Sequence, residues 1–389
     1  MKETVDIEID ISRNLMDQFA KRTGLLEKDG DPRRRYLWTD AYALQNFLAL
    51  EKTTGDRKYA DISESLIEHV HHTLGKFSED DHRSGWISGL PDEVGSQHPT
   101  KSGLRIGKEL PERKEYEPFD DQLEWERDGQ YYHYHTRWIK SLLQAGRKLG
   151  RQKYFQSAAE LSLAGKHFLH ESHGIPHIYW KMSVDLSRPQ VTSMGAHDPL
   201  DGYLSAQEAR LYSGNEFDFS NYLEKLERIC SGRRWETSDP LGIGGLLLDA
   251  VRSAVLSRHQ RLPDPFKPQR LIDDAFSGLS DWRVSFDRVI MASHRLAFRE
   301  CGLSLGLRVM DGYRDLFTEQ GLNIEPLDSN LDLAESIERF WSLEENRNST
   351  YYRNHLDIND VSLSSSLLAG QIPEAFGSPL KLDVEPSVS

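Results

Sequence analysis

One motif repeats along this chain: a helix apolar almost all round, a glycine turn, then a helix apolar on one side. From Trp38 to Leu50 the sequence is broken chiefly by Thr39, Asp40, Gln45 and Asn46. A helix of that composition is buried on most sides. The turn T-G-D-R-K-Y follows, Thr54 to Tyr59, with Gly55 placed to end the helix. Beyond it Tyr59, Ile62, Leu66, Val70 and Leu74 recur every three or four residues, with Asp61, Glu64 and Glu68 between them. That spacing predicts an amphipathic helix with one wet face. The pattern returns with Trp138, Leu142, Ala145 and Leu149, then G-R-Q-K-Y, then Ala158, Leu161 and Phe168. The two turns share G-x-x-K-Y, with Gly55 and Gly150 ending their helices. A weaker third copy runs from Tyr203 to Leu211, through Ser213-Gly214-Asn215, to Phe219–Ile229. Further helical stretches are expected near 240–257, 268–279, 287–309, 311–320, 331–345 and 360–370, enough for six hairpins.

A buried helix followed by an amphipathic one, repeated, can close into two concentric rings. This pattern, carried by W-T-D-A-Y-A-L-Q-N-F-L-A-L with T-G-D-R-K-Y and by its second copy, resembles the six-hairpin, (α/α)6-barrel, glycosidase-like superfamily. The resemblance covers about residues 36–370. It implies an all-α fold, an (α/α)6 toroid of helical hairpins, and a place among glycosidases, polysaccharide lyases and sugar epimerases. An open helical solenoid is the alternative. The whole chain, 1–389, is expected to be one such domain, although the usual prior is roughly 100–200 residues per domain. Residues 76–129, rich in Gly, Pro and charge, interrupt the helices and are read as a lid-like insertion. Ile175 to Leu186 has strand-like composition, and the tail 373–389 looks irregular.

Composition limits the partners. The net charge of −14 argues against nucleic acid and against an anionic membrane surface. No window approaches the roughly 18 apolar residues of a membrane span. The first residues, M-K-E-T-V-D-I-E-I-D-I, carry acids where a signal peptide needs an apolar run, so a cytoplasmic location is expected. Two cysteines, Cys230 and Cys301, are too few for a disulfide scaffold. His170, His173 and His177 cluster without zinc-helix spacing, so no metal and no cofactor are expected. His69, His71 and His72 are read as outer-helix surface residues.

Polar and aromatic residues gather where the inner helices begin. These are Trp38 and Asp40; Tyr132, His133 and Arg137; His197, Asp198 and Asp201; Asp239; His294; and His355. Parallel inner helices would bring these starts together in one cup. Carboxylates that exchange protons and aromatic faces that stack on rings suit sugar chemistry. Each group also has a plainer reading. Asp198-Pro199-Leu200 and Asp239-Pro240-Leu241 fit an N-cap followed by proline at the first helical position. Asp40 fits a first-turn carboxylate and Asp201 an acid favoured by the helix dipole. His133 and Arg137 share a helical face. In the insertion, Trp86 and Trp125 are candidate sugar contacts, Glu124 and Asp128 candidate acids, and Arg105 a surface residue or an anion contact. The G-I-G-G run at Gly242–Gly245 lacks the ending of a phosphate loop and reads better as close helix packing.

The expected function is carbohydrate-active chemistry on a small-molecule or oligosaccharide substrate. The first reading is glycoside hydrolysis, with a pair chosen from Asp40, Asp198, Asp201 and Asp239 supplying acid and base and His133 and His197 in support. Trp38, Tyr132, Arg137, Trp86, Trp125, Asp239, His294 and His355 would contact substrate. A sugar epimerase or isomerase, with acid and base drawn from His133, His197, His294 and His355, is the second. Its motive is a loose similarity of M-G-A-H-D-P-L-D-G-Y-L-S-A-Q-E-A to a stretch of the N-acylglucosamine epimerase group, from which the spacing departs. A non-catalytic binding toroid is the third.

Overall fold

The computed structural model describes residues 2–26, 35–114, 116–172, 174–285 and 291–382. Its helices begin with α1 (Lys2–Arg22), α2 (Leu37–Thr54), α3 (Lys58–Leu74), α4 (Asp92–Gln97), α5 (Asp121–Glu126), α6 (Tyr132–Leu149) and α7 (Gln152–Ala164). There follow α8 (Asp198–Ser213), α9 (Ser220–Cys230), α10 (Pro240–Leu256), α11 (Pro268–Ser285), α12 (Ala297–Gly312) and α13 (Arg314–Glu319). The last are α14 (Leu331–Ser342), α15 (Glu344–Arg347), α16 (Thr350–Asn354) and α17 (Leu356–Ala369). Among the described residues, five short strands lie between α5 and α8: β1 (Gln130–Tyr131), β2 (Leu169–Ser172), β3 (Ile175–Ile178), β4 (Lys181–Met182) and β5 (Pro189–Val191). The fold is all-α. By packing, the chain forms two compact units. Residues 20–44 and 58–230 make the amino-half unit; residues 1–19, 45–57 and 231–389 make the carboxyl-half unit.

In the amino-half unit, α6 and α8 are buried over most of their length, while α9 hides only one stripe, Tyr222, Leu226, Ile229 and Cys230. Helix α7 packs on both α6 and α8. Hydrogen bonds tie α2, α6 and α8 together, two of them at the helix starts. Tyr36 Oη meets Tyr134 Oη at 2.7 Å, Ser141 Oγ donates to the Ala41 carbonyl at 2.9 Å, and Thr136 Oγ1 donates to Asp201 Oδ2 at 2.6 Å. The first turns of α2, α6 and α8 therefore lie side by side. Helix α3 buries the expected stripe, together with Ile67 and His71. His71 is thus not a surface residue. It falls four positions after Ile67 and faces inward, where Trp138 Nε1 donates to its Nε2 at 3.2 Å.

The insertion is held by ion pairs rather than left loose. Arg105 is buried, with its Nη1 2.5 Å from Asp128 Oδ2 and its other nitrogens on the Lys76 and Thr73 carbonyls. Asp128 Oδ1 also accepts the Gly107 and Lys108 amides at 3.0 and 3.2 Å. Glu124 is buried against Arg113, at 2.7 Å. Arg105 is therefore an internal staple, and Glu124 and Asp128 are committed within the insertion instead of being free to swing. The strand-like composition does form strands: β2 and β3 make a hairpin, and β4 lies between β1 and β5.

In the carboxyl-half unit, α10, α12 and α17 are the buried helices, and α14 buries one face, Leu333, Ala334, Ile337, Glu338 and Trp341. Arg299 of α12 pairs with Asp239 before α10 at 2.6 Å, and the Phe298 amide donates to Asn359 of α17 at 3.1 Å. These three starts also lie together. Helices α10 and α12 touch through backbone: a Cβ on Gly244 would stand 2.0 Å from the Gly302 carbonyl oxygen. The G-I-G-G run is a packing surface. Two expectations shift. Helix α12 begins at Ala297, not near 287; residues 286–290 lie outside the described ones. Arg295 and Leu296 are extended, which lets Arg295 reach back to Glu300 with both carboxylate oxygens engaged. Helix α1 was not expected, yet Ser12, Leu15, Met16 and Phe19 bury a stripe of helical period.

Gly55 and Gly150 have φ of +70° and +66°, with open space around the position of a side chain. Gly55→Val and Gly150→Val should each cost about 1–3 kcal/mol from backbone strain alone. Gly244→Ala should cost about 1–3 kcal/mol for the opposite reason, overpacking. Denaturant midpoints check all three; unchanged midpoints for the first pair would remove the left-handed turns from the fold.

Candidate functional site

The start of α2 contributes an acid already in use. The Tyr36 amide donates to Asp40 Oδ2 at 3.1 Å, and Arg35 Nη1 lies 3.6 Å from Asp40 Oδ1. Both side chains are buried. The carboxylate thus closes its own first turn and balances the Arg35 charge.

At the start of α6, His133 sits within an aromatic cluster. Its ring centroid lies 5.7 Å from Trp38, 5.2 Å from Tyr131, 4.8 Å from Tyr134 and 5.9 Å from Trp180. Trp125 stands edge-on to Trp180 at 5.2 Å. Tyr131 and Tyr134 are buried, whereas Trp38, Trp125, Trp180 and His133 are partly open. Trp180 Nε1 is 3.0 Å from His133 Nδ1. An indole N–H only donates, so Nδ1 accepts and the imidazole proton resides on Nε2. Burial, with help from the Arg137 charge, pushes the His133 pKa down to about 3. Arg137 itself lies over the Trp38 ring, 5.8 Å from its centroid.

Helix α8 brings two further acids. Asp201 accepts from Thr136 Oγ1 and has Arg137 Nε 4.0 Å away. Asp198 is different. Its Oδ2 is buried and has no hydrogen-bond partner among the described residues. Burial first, and the Asp201 charge second, push its pKa up to about 7; the Gly195 amide and Arg137 oppose this. Gly195 leaves the room: a Cβ there would stand 2.5 Å from Asp198 Oδ1. Two identical tripeptides therefore behave differently. Asp239 caps α10, accepting the Gly242 amide at 3.2 Å, and pairs with Arg299. The residue before α8 is His197, half-buried, and no side chain caps that helix.

The remaining candidates lie elsewhere. Tyr132 is buried, with its hydroxyl 2.6 Å from Tyr222 Oη and pressed against Gly202. Trp86 is buried in the insertion, donating to Asp92 at 2.9 Å, with Lys76 over its ring and Gly95 against its edge. His294 and His355 are exposed residues of the carboxyl-half unit, as Asp239 is a residue of that unit. Among the described residues no group of three or more His, Cys, Asp or Glu side chains is placed to hold a metal; His173 lies outside them. Sequence reasoning missed Trp180, Thr136 and Gly195. Trp180 sits in a segment whose only visible signal was β-composition, and glycine or threonine beside a helix start looks like ordinary turn chemistry.

Ring NMR of His133 should show an unprotonated Nδ1 and no titration between pH 5 and 8. His71, His133 and His135 are all held neutral by burial, with pKa values near 3, 3 and 4 against 6.5 unfolded. The unfolded chain binds more protons in that range, so the stability these groups contribute is present above pH 6.5 and lost as pH falls toward 4. Unfolding midpoints across pH 4–7 check the sign.

No family model matches the chain, and no curated protein matches its sequence. Solved structures do match. An inactive variant of the α-1,6-mannanase GH76A of Salegentibacter sp. HEL1_6, in complex with α-1,6-mannotetrose, is 13% identical over 94% of this chain and 99% of that one, with a TM-score of 0.55. The α-1,6-mannanase without the substitutions is 12% identical over the same shares, with a TM-score of 0.51. A D-mannose isomerase matches at 11% identity over 95% and 97% of the two chains, with a TM-score of 0.49. No helix among the described residues is long and apolar enough to cross a membrane. The likeness to the mannanase structures shows the fold alone, and the chain accordingly has an all-α, (α/α)6-barrel fold.

Proposed function

We propose that the amino-half unit is a glycoside hydrolase site, with Asp198 as general acid and Asp201 as its ionised partner. The observation that carries this reading is the contrast between two acids on one helix. Asp198 is buried, lacks a partner at Oδ2 and holds its proton up to about pH 7. Asp201 accepts a hydroxyl hydrogen bond and lies near a guanidinium, which favours the charged form. Carboxyl groups with such divergent surroundings take separate roles, one giving a proton and one staying charged. Asp198 would protonate the leaving glycosidic oxygen, and Asp201, its neighbour on the same helix, would stabilise the positive charge that develops on the sugar ring. Trp38, Trp125 and Trp180 offer partly open rings for stacking a sugar, and Arg137 a donor for its hydroxyls.

The mannanase variants were solved with α-1,6-mannotetrose and α-1,6-mannotriose. α-1,6-Linked mannosides are therefore the first substrates to try, with a cytoplasmic setting in the cell. Histidine-based epimerisation is less well supported. The acceptor nitrogen of His133 is occupied by Trp180, and its depressed pKa makes it a weak base. Asp40 and Tyr132 are already engaged with neighbours and take no part in this reading.

Asp198→Asn and Asp201→Asn should each lower kcat by about 10²–10⁴ on α-1,6-mannotriose, read as reducing-sugar release, without unfolding the protein. Wild-type rate should fall as pH rises through about 7, when Asp198 loses its proton. The folded pKa of Asp198 lies above its ordinary 3.8, so the stability it contributes is full below pH 4 and lost as pH rises through 7. Asp198→Asn should therefore unfold later than wild type at pH 8 but not at pH 4. Full activity of Asp198→Asn on any cleaved glycoside would overturn the assignment.

A further inference from the structure

The carboxyl-half unit contains a cavity of about 520 Å³ formed by α1, α15, α16 and the start of α17. It shares no residue with the Asp198 site. That volume is in the range of small-ligand pockets. Asn14 and Gln18 line it from α1, Arg347 from α15, Tyr352 from α16 and Asp360 from α17.

Arg347 sets this cavity apart. Other partly buried arginines of the unit are matched with carboxylates: Arg295 with Glu300, Arg299 with Asp239, Arg308 with Glu338. Arg347 has no side-chain hydrogen bond or ion pair among the described residues, and its Nε is buried without an acceptor. A guanidinium is never deprotonated, and a buried N–H without an acceptor is unfavourable. Glu344 and Asp360 bring two carboxylates to the same cavity and Arg353 a second guanidinium. Among the described residues neither acid pairs with Arg347, which therefore presents a fixed positive charge without an ion-pair partner. The wall beside it is held in place. Tyr352 Oη donates to Asp360 Oδ1 at 3.1 Å, Asn359 Nδ2 donates to the Tyr352 carbonyl at 3.0 Å, and Ser349 caps the turn that carries Tyr352. On α1 the exposed Gln18 Nε2 donates to Asn14 Oδ1 at 3.1 Å. That bond leaves the Asn14 amide N–H groups and the Gln18 carbonyl for other partners, one donor group beside one acceptor. A hydroxyl both donates and accepts, and suits that pair.

We propose that this cavity binds a small polyhydroxylated molecule carrying an anionic group, a sugar acid or sugar phosphate. Arg347 holds the anion, and Asn14 with Gln18 holds hydroxyls. A planar guanidinium binds carboxylate and phosphate alike, so the two head groups are separated by experiment.

Binding of D-glucuronate, D-glucose 6-phosphate, D-glucose and inorganic phosphate to the full chain, at constant ionic strength, tests this by calorimetry and thermal unfolding. At least one of the two sugar anions should bind at least tenfold more tightly than D-glucose and than inorganic phosphate, and should raise the unfolding midpoint. The tighter of the two identifies the head group. Arg347→Gln should weaken that binding tenfold or more, yet unfold no earlier than wild type without ligand, because it removes a charge without an ion-pair partner. Asp198→Asn should bind the anion as wild type does, which separates this site from the proposed hydrolase site. Equal binding of D-glucose, equal binding of inorganic phosphate, an unaffected Arg347→Gln, or a cavity that takes up neither sugar anion would each overturn the proposal.

Discussion

A helix buried on every side can place polar side chains only where a specific partner waits, or at its ends. Helices α6, α8, α10, α12 and α17 are under that constraint. Several mid-helix polar groups on them are answered by specific partners, although Ser364 Oγ of α17 is buried without one among the described residues. Glu338 of α14 accepts from Ser304 of α12 and Ser366 of α17, each at 2.8 Å, while Arg308 engages both its oxygens. Two further unanswered atoms, Asp198 Oδ2 of α8 and His135 Nδ1 of α6, lie in the first turns. There the free amides of the helix and its dipole tolerate charge. The links from Thr136 to Asp201 and from Phe298 to Asn359 then set those first turns side by side within each unit.

The two D-P-L segments show how far local sequence goes. Both start a helix with proline in its first turn. Before α10, Asp239 turns its carboxylate to the Gly242 amide, the ordinary capping geometry. At α8 the helix is entered one residue earlier, from His197, so Asp198 is already helical and its carboxyl projects sideways. Gly195 supplies the space that this carboxyl occupies. One step in the position of the cap separates a structural acid from a candidate catalytic one.

The architecture was legible because it is written in periodicity. The alternation of all-round and one-sided apolar helices, the left-handed glycines at 55 and 150, and the glycine contact at Gly244 were all visible as patterns. Helix α1 was not. Its acids drew attention to targeting, while its stripe of Ser12, Leu15, Met16 and Phe19 is weak in apolar content. His71 shows the same limit, since a histidine in a buried stripe reads as surface until Trp138 is placed beside it. Within the candidate site, residue types were readable but their commitments were not. Nothing in the sequence separates Asp40, tied to Arg35, from Asp198, left without a partner at Oδ2. Trp180 comes from a strand region far along the chain, so its bond to His133 exists only in three dimensions.

Keeping Asp198 as it is runs against stability. A carboxyl that is buried, lacks a partner at Oδ2 and is coupled to a second acid destabilises the fold whenever it ionises. An asparagine would keep the shape and remove that cost, and a larger residue than glycine at position 195 would displace the group altogether. A packing role does not require this arrangement, because Asp239 performs the capping job with its charge paired to Arg299. Proton donation near neutral pH does require it, since an acid at its ordinary pKa of about 3.9 would hold almost no proton there. The same reasoning bears on His133. Trp180 fixes its tautomer, and burial keeps it uncharged beside Arg137, so the site gains a neutral donor at Nε2 without placing a third charge against the two aspartates. Asp198, raised toward neutral pH by burial, Asp201, held by Thr136 near Arg137, and a neutral His133 thus gather at the first turns of two adjoining helices.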